Sequence, residues 1–174
     1  MSNKNTIAIS GKSGCGNTTV SRLVAEAIGL RIINYTFHTL ADERNMDFKS
    51  LCLLAEKDPQ FDYFVDEKQM ELARGGQCVL GSRLAIWLLK DADLKVYLTA
   101  APRVRAQRIF NREGGSFENV SREMAERDAR DTNRYKRLYG IDNDSYTFAD
   151  LVIDTDNLDQ NGVAQRIIEF AEKI

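Results

Sequence analysis

The chain has 174 residues and a mass of 19.7 kDa, the size of one domain able to bury its own core. Hydrophobic residues make up 43% and charged residues 29%, and no run approaches the roughly 18 apolar residues of a helical membrane span. The 24 Lys and Arg against 26 Asp and Glu give a formal charge of −2, which argues against a general nucleic-acid binder, a class that carries a basic surplus.

Thr6-Ile-Ala-Ile-Ser10 is a nearly continuous apolar run ending at Gly11 and predicts a buried strand. Val20, Leu23, Val24 and Ala27 then recur at helical spacing over 18–28, and Gly29 closes the segment. Arg31-Ile-Ile-Asn34 predicts a second strand. Residues 36–74 read as a long helical region, broken near Asp47 and at Asp58-Pro59 and stopped by Gly75 and Gly76. Cys78-Val-Leu80 and Leu94-Lys-Val-Tyr-Leu98 are the third and fourth strands, with a short helix over 84–89 between them. Pro102 opens a helix that stops at Gly114 and Gly115, and the charged run 118–138 predicts another, the least amphipathic part of the chain. Leu151-Val-Ile-Asp154 is a fifth strand, and 163–174 a closing helix with Val163, Ile167, Phe170 and Ala171 on one face. Such alternation predicts one α/β domain over 1–174, a five-stranded parallel sheet flanked by helices, with no linker, repeat or low-complexity stretch.

The three cysteines, Cys15, Cys52 and Cys78, are odd in number and widely spaced, and read as reduced thiols. The single histidine, His38, excludes a multi-histidine metal centre. Met1-Ser-Asn-Lys-Asn has no apolar core of a secretory signal, so the expected location is the cytoplasm.

The first strand feeds Ser10-Gly11-Lys12-Ser13-Gly14-Cys15-Gly16-Asn17-Thr18-Thr19 and then a helix. Against the phosphate-loop pattern G-x-x-x-x-G-K-[ST], Gly11 and Gly16 have the right separation, and Thr18 falls where a Mg²⁺-binding hydroxyl belongs. The glycines let backbone N–H groups turn inward on an anion, and the helix start adds its positive dipole end. Asn17 occupies the lysine position; its amide donates hydrogen bonds but supplies no charge. Three readings stand at this point: a structural turn, a nucleotide site without turnover, or a working site whose charge comes from Lys12 or from arginines downstream.

Arg127, Asp131 and Arg134 follow i, i+4, i+7 spacing and share one helical face, with Arg130 and Arg137 one row over. Charge runs are commonly solvated faces of little energetic weight. Here Arg103, Arg105, Arg108 and Arg112 precede the run, with Gly114 and Gly115 between. A mobile arm of guanidinium groups suits phosphoryl transfer, where neutralising phosphate oxygens is most of the catalysis.

The run Glu126-Arg-Asp-Ala-Arg-Asp-Thr-Asn-Arg134 resembles the R-D-x-R-D-x-x-R lid segment of cytidylate (CMP) kinases. Arg134-Tyr-Lys-Arg-Leu-Tyr-Gly-Ile-Asp142, Ala149-Asp-Leu-Val-Ile-Asp-Thr155, Asp66-Glu-Lys-Gln-Met-Glu-Leu-Ala73 and Ser82-Arg-Leu-Ala-Ile-Trp-Leu88 are similar to the archaeal-type branch of that family. The resemblance implies a P-loop nucleoside monophosphate kinase that uses ATP and Mg²⁺ to phosphorylate CMP or dCMP. It has a monophosphate arm over about 36–74 and a lid over about 112–141, and is expected to act as a monomer with no membrane or nucleic-acid partner.

It implies that Gly11, Ser13, Gly14, Cys15, Gly16, Asn17, Thr18 and Thr19 hold the donor phosphates, with Thr18 at the metal and Arg108 and Arg112 near ATP. His38, Arg83, Arg127, Asp131 and Arg134 are the expected acceptor contacts, and Lys12, Arg127 and Arg130 the expected catalytic cations. Asp131 accepts hydrogen bonds only, so it either orients an arginine or receives the cytosine amine. Three positions depart from the family pattern: Asn17 for lysine, Ser82 for glycine, and His38 where a phosphate-binding arginine is expected.

Overall fold

The structure, a computed structural model, describes residues 5–173; Ile174, the expected end of the last helix, and residues 1–4 of the N-terminal reading lie outside that range. Five strands form the sheet: β1 (Thr6–Gly11), β2 (Arg31–Ile33), β3 (Cys78–Gly81), β4 (Leu94–Thr99) and β5 (Leu151–Asp154). They lie in the order β2-β3-β1-β4-β5, every neighbouring pair parallel, as with Ile9 beside Gly81 on one side and Val96 on the other. The helices are α1 (Asn17–Ile28), α2 (Phe37–Glu43), α3 (Phe48–Ala55), α4 (Gln60–Ala73), α5 (Ala85–Leu88), α6 (Pro102–Glu113), α7 (Phe117–Tyr139) and α8 (Gln160–Ala171).

The period-2 pleat divides the strand residues between two cores. Ile7, Ile9, Val96 and Leu98 pack with Val20 and Val24 of α1 and Val163 and Ile167 of α8. Ala8, Leu80 and Tyr97 point the opposite way, onto Ala73, Ala85 and Ile86. The connection from β1 runs through α1 to β2 on one side of the sheet, and that from β3 through α5 to β4 on the other. Right-handed crossovers in opposite directions place α1 and α5 on opposite faces, and leave a crevice at the carboxyl ends of β1 and β3.

The breaks expected in 36–74 are helix caps. The Thr36 side chain accepts from Thr39 N where α2 begins after β2, Asp47 accepts from Ser50 N between α2 and α3, and Asp58 accepts from Gln60 N in the turn before α4. The charged run differs from expectation. It is amphipathic: α7 buries Val120, Met124, Asp131 and Tyr135 along one stripe, and an acidic residue in that stripe disguises it in the sequence. Among the described residues no helix is long and apolar enough to cross a membrane.

α1 lies close over β3 because Gly81 has no side chain: a Cβ there would stand 2.7 Å from Ser21 Cβ and 3.2 Å from the Asn17 carbonyl oxygen. Gly81→Ala is expected to destabilise the fold by about 1–3 kcal/mol, the cost of overpacking, and to lower Tm in a thermal melt. Adding Ser21→Ala removes the buried, unpaired Ser21 hydroxyl and is expected to restore part of the loss. An unchanged melt for Gly81→Ala would contradict the close approach.

Candidate active site

At the carboxyl end of β1 the chain turns through Lys12 to Gly16 before α1 begins. Cys15 N donates to the Lys12 carbonyl at 3.1 Å, and the first helical bond runs from Val20 N to Gly16 O at 2.9 Å. Gly14 and Gly16 take φ of 83° and 95°, and no side chain caps the helix. The N–H groups opening α1 are therefore free for an anion, reinforced by the helix dipole. Gly14 also admits α6: a Cβ there would sit 2.9 Å from the Arg105 carbonyl oxygen. Cys15 is buried, and burial pushes its thiol pKa up, so it packs the loop and is no nucleophile.

This loop floors a cleft of about 900 Å³. Thr18, Arg108, Arg112 and Asp159 line one end of it, and Tyr35, Thr36, Gln69, Ser82 and Arg83 the other. A hollow of about 1000 Å³ at the amino ends of the strands has Glu67, Glu71 and Asp91 in its wall, and its Gly75 and Gly76 lead into a strand and open no helix, so an anion site fits the former.

The expected site residues distribute unevenly around this cleft. Arg83 Nη2 and Arg127 Nη1 converge on the Ser13 hydroxyl, at 3.3 and 3.5 Å. Asp131, 6% exposed, pairs one oxygen with Arg83 Nε and the other with Arg134 Nη2, both at 3.2 Å. Of the two roles open to it, its carboxylate is committed to orienting arginines. Arg108 donates to the Gly14 carbonyl at 3.3 Å and to Thr155 Oγ1 at 2.9 Å. Asn17 folds back, with Nδ2 on the Gly11 carbonyl at 2.5 Å and Oδ1 buried without a partner. Lys12 Nζ lies 2.6 Å from Asp144. Arg112 lines the cleft but is exposed and paired with Glu113. None of Arg127, Asp131 and Arg134 is in the cleft wall itself; Arg127 reaches it through Ser13, and Asp131 and Arg134 through Arg83. Arg130 and His38 are not brought to it at all: Arg130 is exposed on α7, and His38 is exposed and stacked on Phe48, ring centroids 3.6 Å apart.

Several groups were not singled out by the sequence. Arg105 is buried, donates to the Ser13 carbonyl at 3.0 Å and pairs with Asp128 of α7 at 2.7 Å. On α4, Asp62 meets Arg134 at 3.4 Å, Asp66 accepts a short hydrogen bond from Tyr139, and Tyr63 donates to the Leu138 carbonyl at 3.1 Å. The available signal was the buried stripe Asp62, Val65, Gln69 and Ala73, helical in spacing but polar at two positions. Burial raises the pKa of Asp62, and burial pushes that of Asp66 up to about 6 despite the Tyr139 bond.

The sequence profile of the cytidylate kinase-like family matches residues 6–157. This chain belongs to that family. Cytidylate kinase 2 of Borreliella afzelii (strain PKo) is 46% identical over 171 residues, 96% of each chain. The cytidylate kinase of Pyrococcus horikoshii is 40% identical over 159 residues, 90% of this chain and 83% of that one. Among solved structures, shikimate kinase from Bacteroides thetaiotaomicron superposes with a TM-score of 0.66 at 16% identity, covering 96% of this chain and 98% of that one. Deoxyadenosine kinase from M. mycoides, with bound dATP, gives 0.57 at 17% over 96% and 99%. At those identities the likeness is one of fold, and it matches the five-stranded parallel sheet built above.

Asp66 gives a pH test of the contact between α4 and α7. Its folded pKa of about 6 lies above the ordinary 3.8, so its stabilising contribution is complete below about pH 4 and is lost as pH rises through 6. Asp66→Asn keeps the side chain neutral throughout. In urea unfolding, wild type minus variant is expected to fall between pH 4 and 6.5 and level off above, by at most about 1.4 kcal/mol per pH unit. A constant difference across that range would show that Asp66 titrates normally.

Proposed function

We propose that this protein transfers the γ-phosphoryl group of ATP to CMP or dCMP, giving ADP and CDP or dCDP. The observation that carries the reading is the meeting at Ser13 of the glycine cradle with Arg83 and Arg127, in a member of the cytidylate kinase-like family. An oxygen of the acceptor phosphate attacks the γ-phosphorus in line, and the bond to the β–γ bridging oxygen breaks as ADP leaves. The acceptor is already an anion and needs no general base. The work left to the protein is positioning and charge neutralisation.

In this reading the backbone of 11–19 holds the donor phosphates, with Arg108 and Arg112 beside them. Arg83, Arg127 and Arg134 take the acceptor phosphate and the transferring group, with Arg83 and Arg134 oriented by Asp131. Residues 36–74 serve as the monophosphate arm and 112–141 as the lid, closing to exclude water. Asn17 braces the loop through Gly11, so the charge a lysine would bring comes from the two guanidinium groups at Ser13. Lys12 is a further source: it lines the cleft, and its partner Asp144 is exposed, so the ammonium can exchange that carboxylate for a phosphate.

Mg²⁺ fits the same cradle. Thr18 is exposed in the cleft, and among the described residues no three His, Cys, Asp or Glu side chains gather to hold a metal. The Thr18 hydroxyl and the nucleotide's own phosphates would therefore hold the ion, as is usual for Mg²⁺. Bound there, it supplies neutralisation of the phosphate charge.

Steady-state kinetics with ATP against CMP, dCMP and UMP test the assignment; no ADP formation above background with CMP or dCMP would overturn it. Gly16→Val forces a branched side chain onto a positive φ and is expected to abolish calorimetric ATP binding in a folded protein. Arg127→Ala and Arg134→Ala are each expected to lower kcat/KM for CMP at least about tenfold, roughly 1.4 kcal/mol. Arg127→Ala should melt like wild type. Arg134→Ala strands Asp62, leaves Asp131 with Arg83 alone, and is expected to melt lower. Wild-type acceptor kinetics in both variants would remove this face of α7 from the site.

A further inference from the structure

We infer that Gln69 reads the base of the acceptor nucleotide: its side-chain oxygen accepts a hydrogen bond from the exocyclic amine of cytosine and disfavours uracil. The inference rests on the monophosphate kinase reading of the cleft. Gln69 lies on α4, is 6% exposed and lines the acceptor end with Tyr35, Thr36 and Ser82. Its Nε2 donates to the Tyr35 carbonyl at 2.7 Å. That bond fixes the amide, because a flip would set two carbonyl oxygens against each other. The opposite end, Oε1, is buried and has no hydrogen-bond partner. A buried acceptor left unpaired is costly and uncommon in native proteins. One such atom in the wall of a ligand cleft is a place where a ligand donor belongs.

The donor is set by what a fixed carbonyl can do. Cytosine offers an amine at C4, and uracil an oxygen. Oε1 accepts from the first, while the second, in the same seating, opposes lone pairs to lone pairs. The other acceptors near the acceptor end are committed or indifferent. Asp131, with both oxygens held by arginines, and Asp62, paired through one oxygen with Arg134, are not in the cleft wall. Asn34 is in it but is exposed, so its amide turns to suit either base. Ser82 Oγ is also buried without a partner, but a hydroxyl donates as readily as it accepts and tolerates either base. Asn17 Oδ1 is unpaired too, yet it lies beside Gly11 in the donor loop. Oε1 sits sealed just behind the cleft surface, so the base makes this contact with the side-chain shifts that accompany binding.

The test uses the whole protein, wild type and Gln69→Leu, with Gln69→Met, closer to glutamine in shape, as the second variant should leucine not fold. CMP, UMP and the 4-deamino analogue of CMP are compared by calorimetry and, for CMP and UMP, by kcat/KM. Wild type is expected to bind CMP at least tenfold more tightly than the other two, and the variant to bind all three alike. ATP affinity is expected to stay unchanged. A variant that keeps the wild-type preference for CMP over UMP and over the analogue overturns the inference, as does a wild type that binds the three equally. A wild type that binds CMP selectively but transfers no phosphate would leave the Gln69 assignment standing and remove the kinase reading.

Discussion

The buried guanidinium of Arg105 is the joint on which the site depends. It holds the Ser13 carbonyl in place and binds Asp128, so one side chain fixes both the curl of the anion-binding loop and the seat of α7. The approach is possible because Gly14 leaves the space that a Cβ would fill. Neither charge is accessible enough to be satisfied by water alone. Removing one would strand the other, a loss of about 3–5 kcal/mol for a buried pair. A glycine loop alone is a common turn. Braced from outside by a helix that cannot move without unpairing a charge, it becomes a cradle of fixed shape.

Outward from that joint runs a chain of alternating charges: Arg83, Asp131, Arg134 and Asp62, which links β3, α7 and α4 around the acceptor end. Its carboxylates hold arginine side chains in place, Asp131 two of them and Asp62 one. The chain explains how a loop with asparagine at the lysine position still has positive charge over it. Asn17 closes the loop from within, through Gly11, and two guanidinium groups reach Ser13 from other elements.

The sheet was legible in the sequence because each strand is a short apolar run between glycines or polar turns, and buried parallel strands have little choice of composition. Helix limits in 36–74 were legible because Thr36, Asp47 and Asp58 are cap residues before helical runs. The loop could be placed from glycine spacing between a strand and a helix, but the spacing alone left a structural turn and a nucleotide site both open. The rest of the site was hidden where polar residues occupy buried positions. Asp131 in α7, and Asp62 and Gln69 in α4, look like solvent-facing residues until their partners from other elements are known. The same dependence on tertiary contacts turned Lys12 toward Asp144 and laid His38 on Phe48. No local pattern carries either pairing.

The length and anchoring of α7 have a mechanical consequence. Its 23 residues span about 35 Å at 1.5 Å each. At its midpoint it is tied through Asp128 to Arg105 and the Ser13 carbonyl, and near its carboxyl end through Arg134 and Tyr139 to Asp62 and Asp66 of α4. A stiff rod held at its middle and at one end transmits displacement instead of absorbing it. A shift of α4 is therefore carried along α7 to the Ser13 loop, and the half of the helix before Asp128 swings the opposite way.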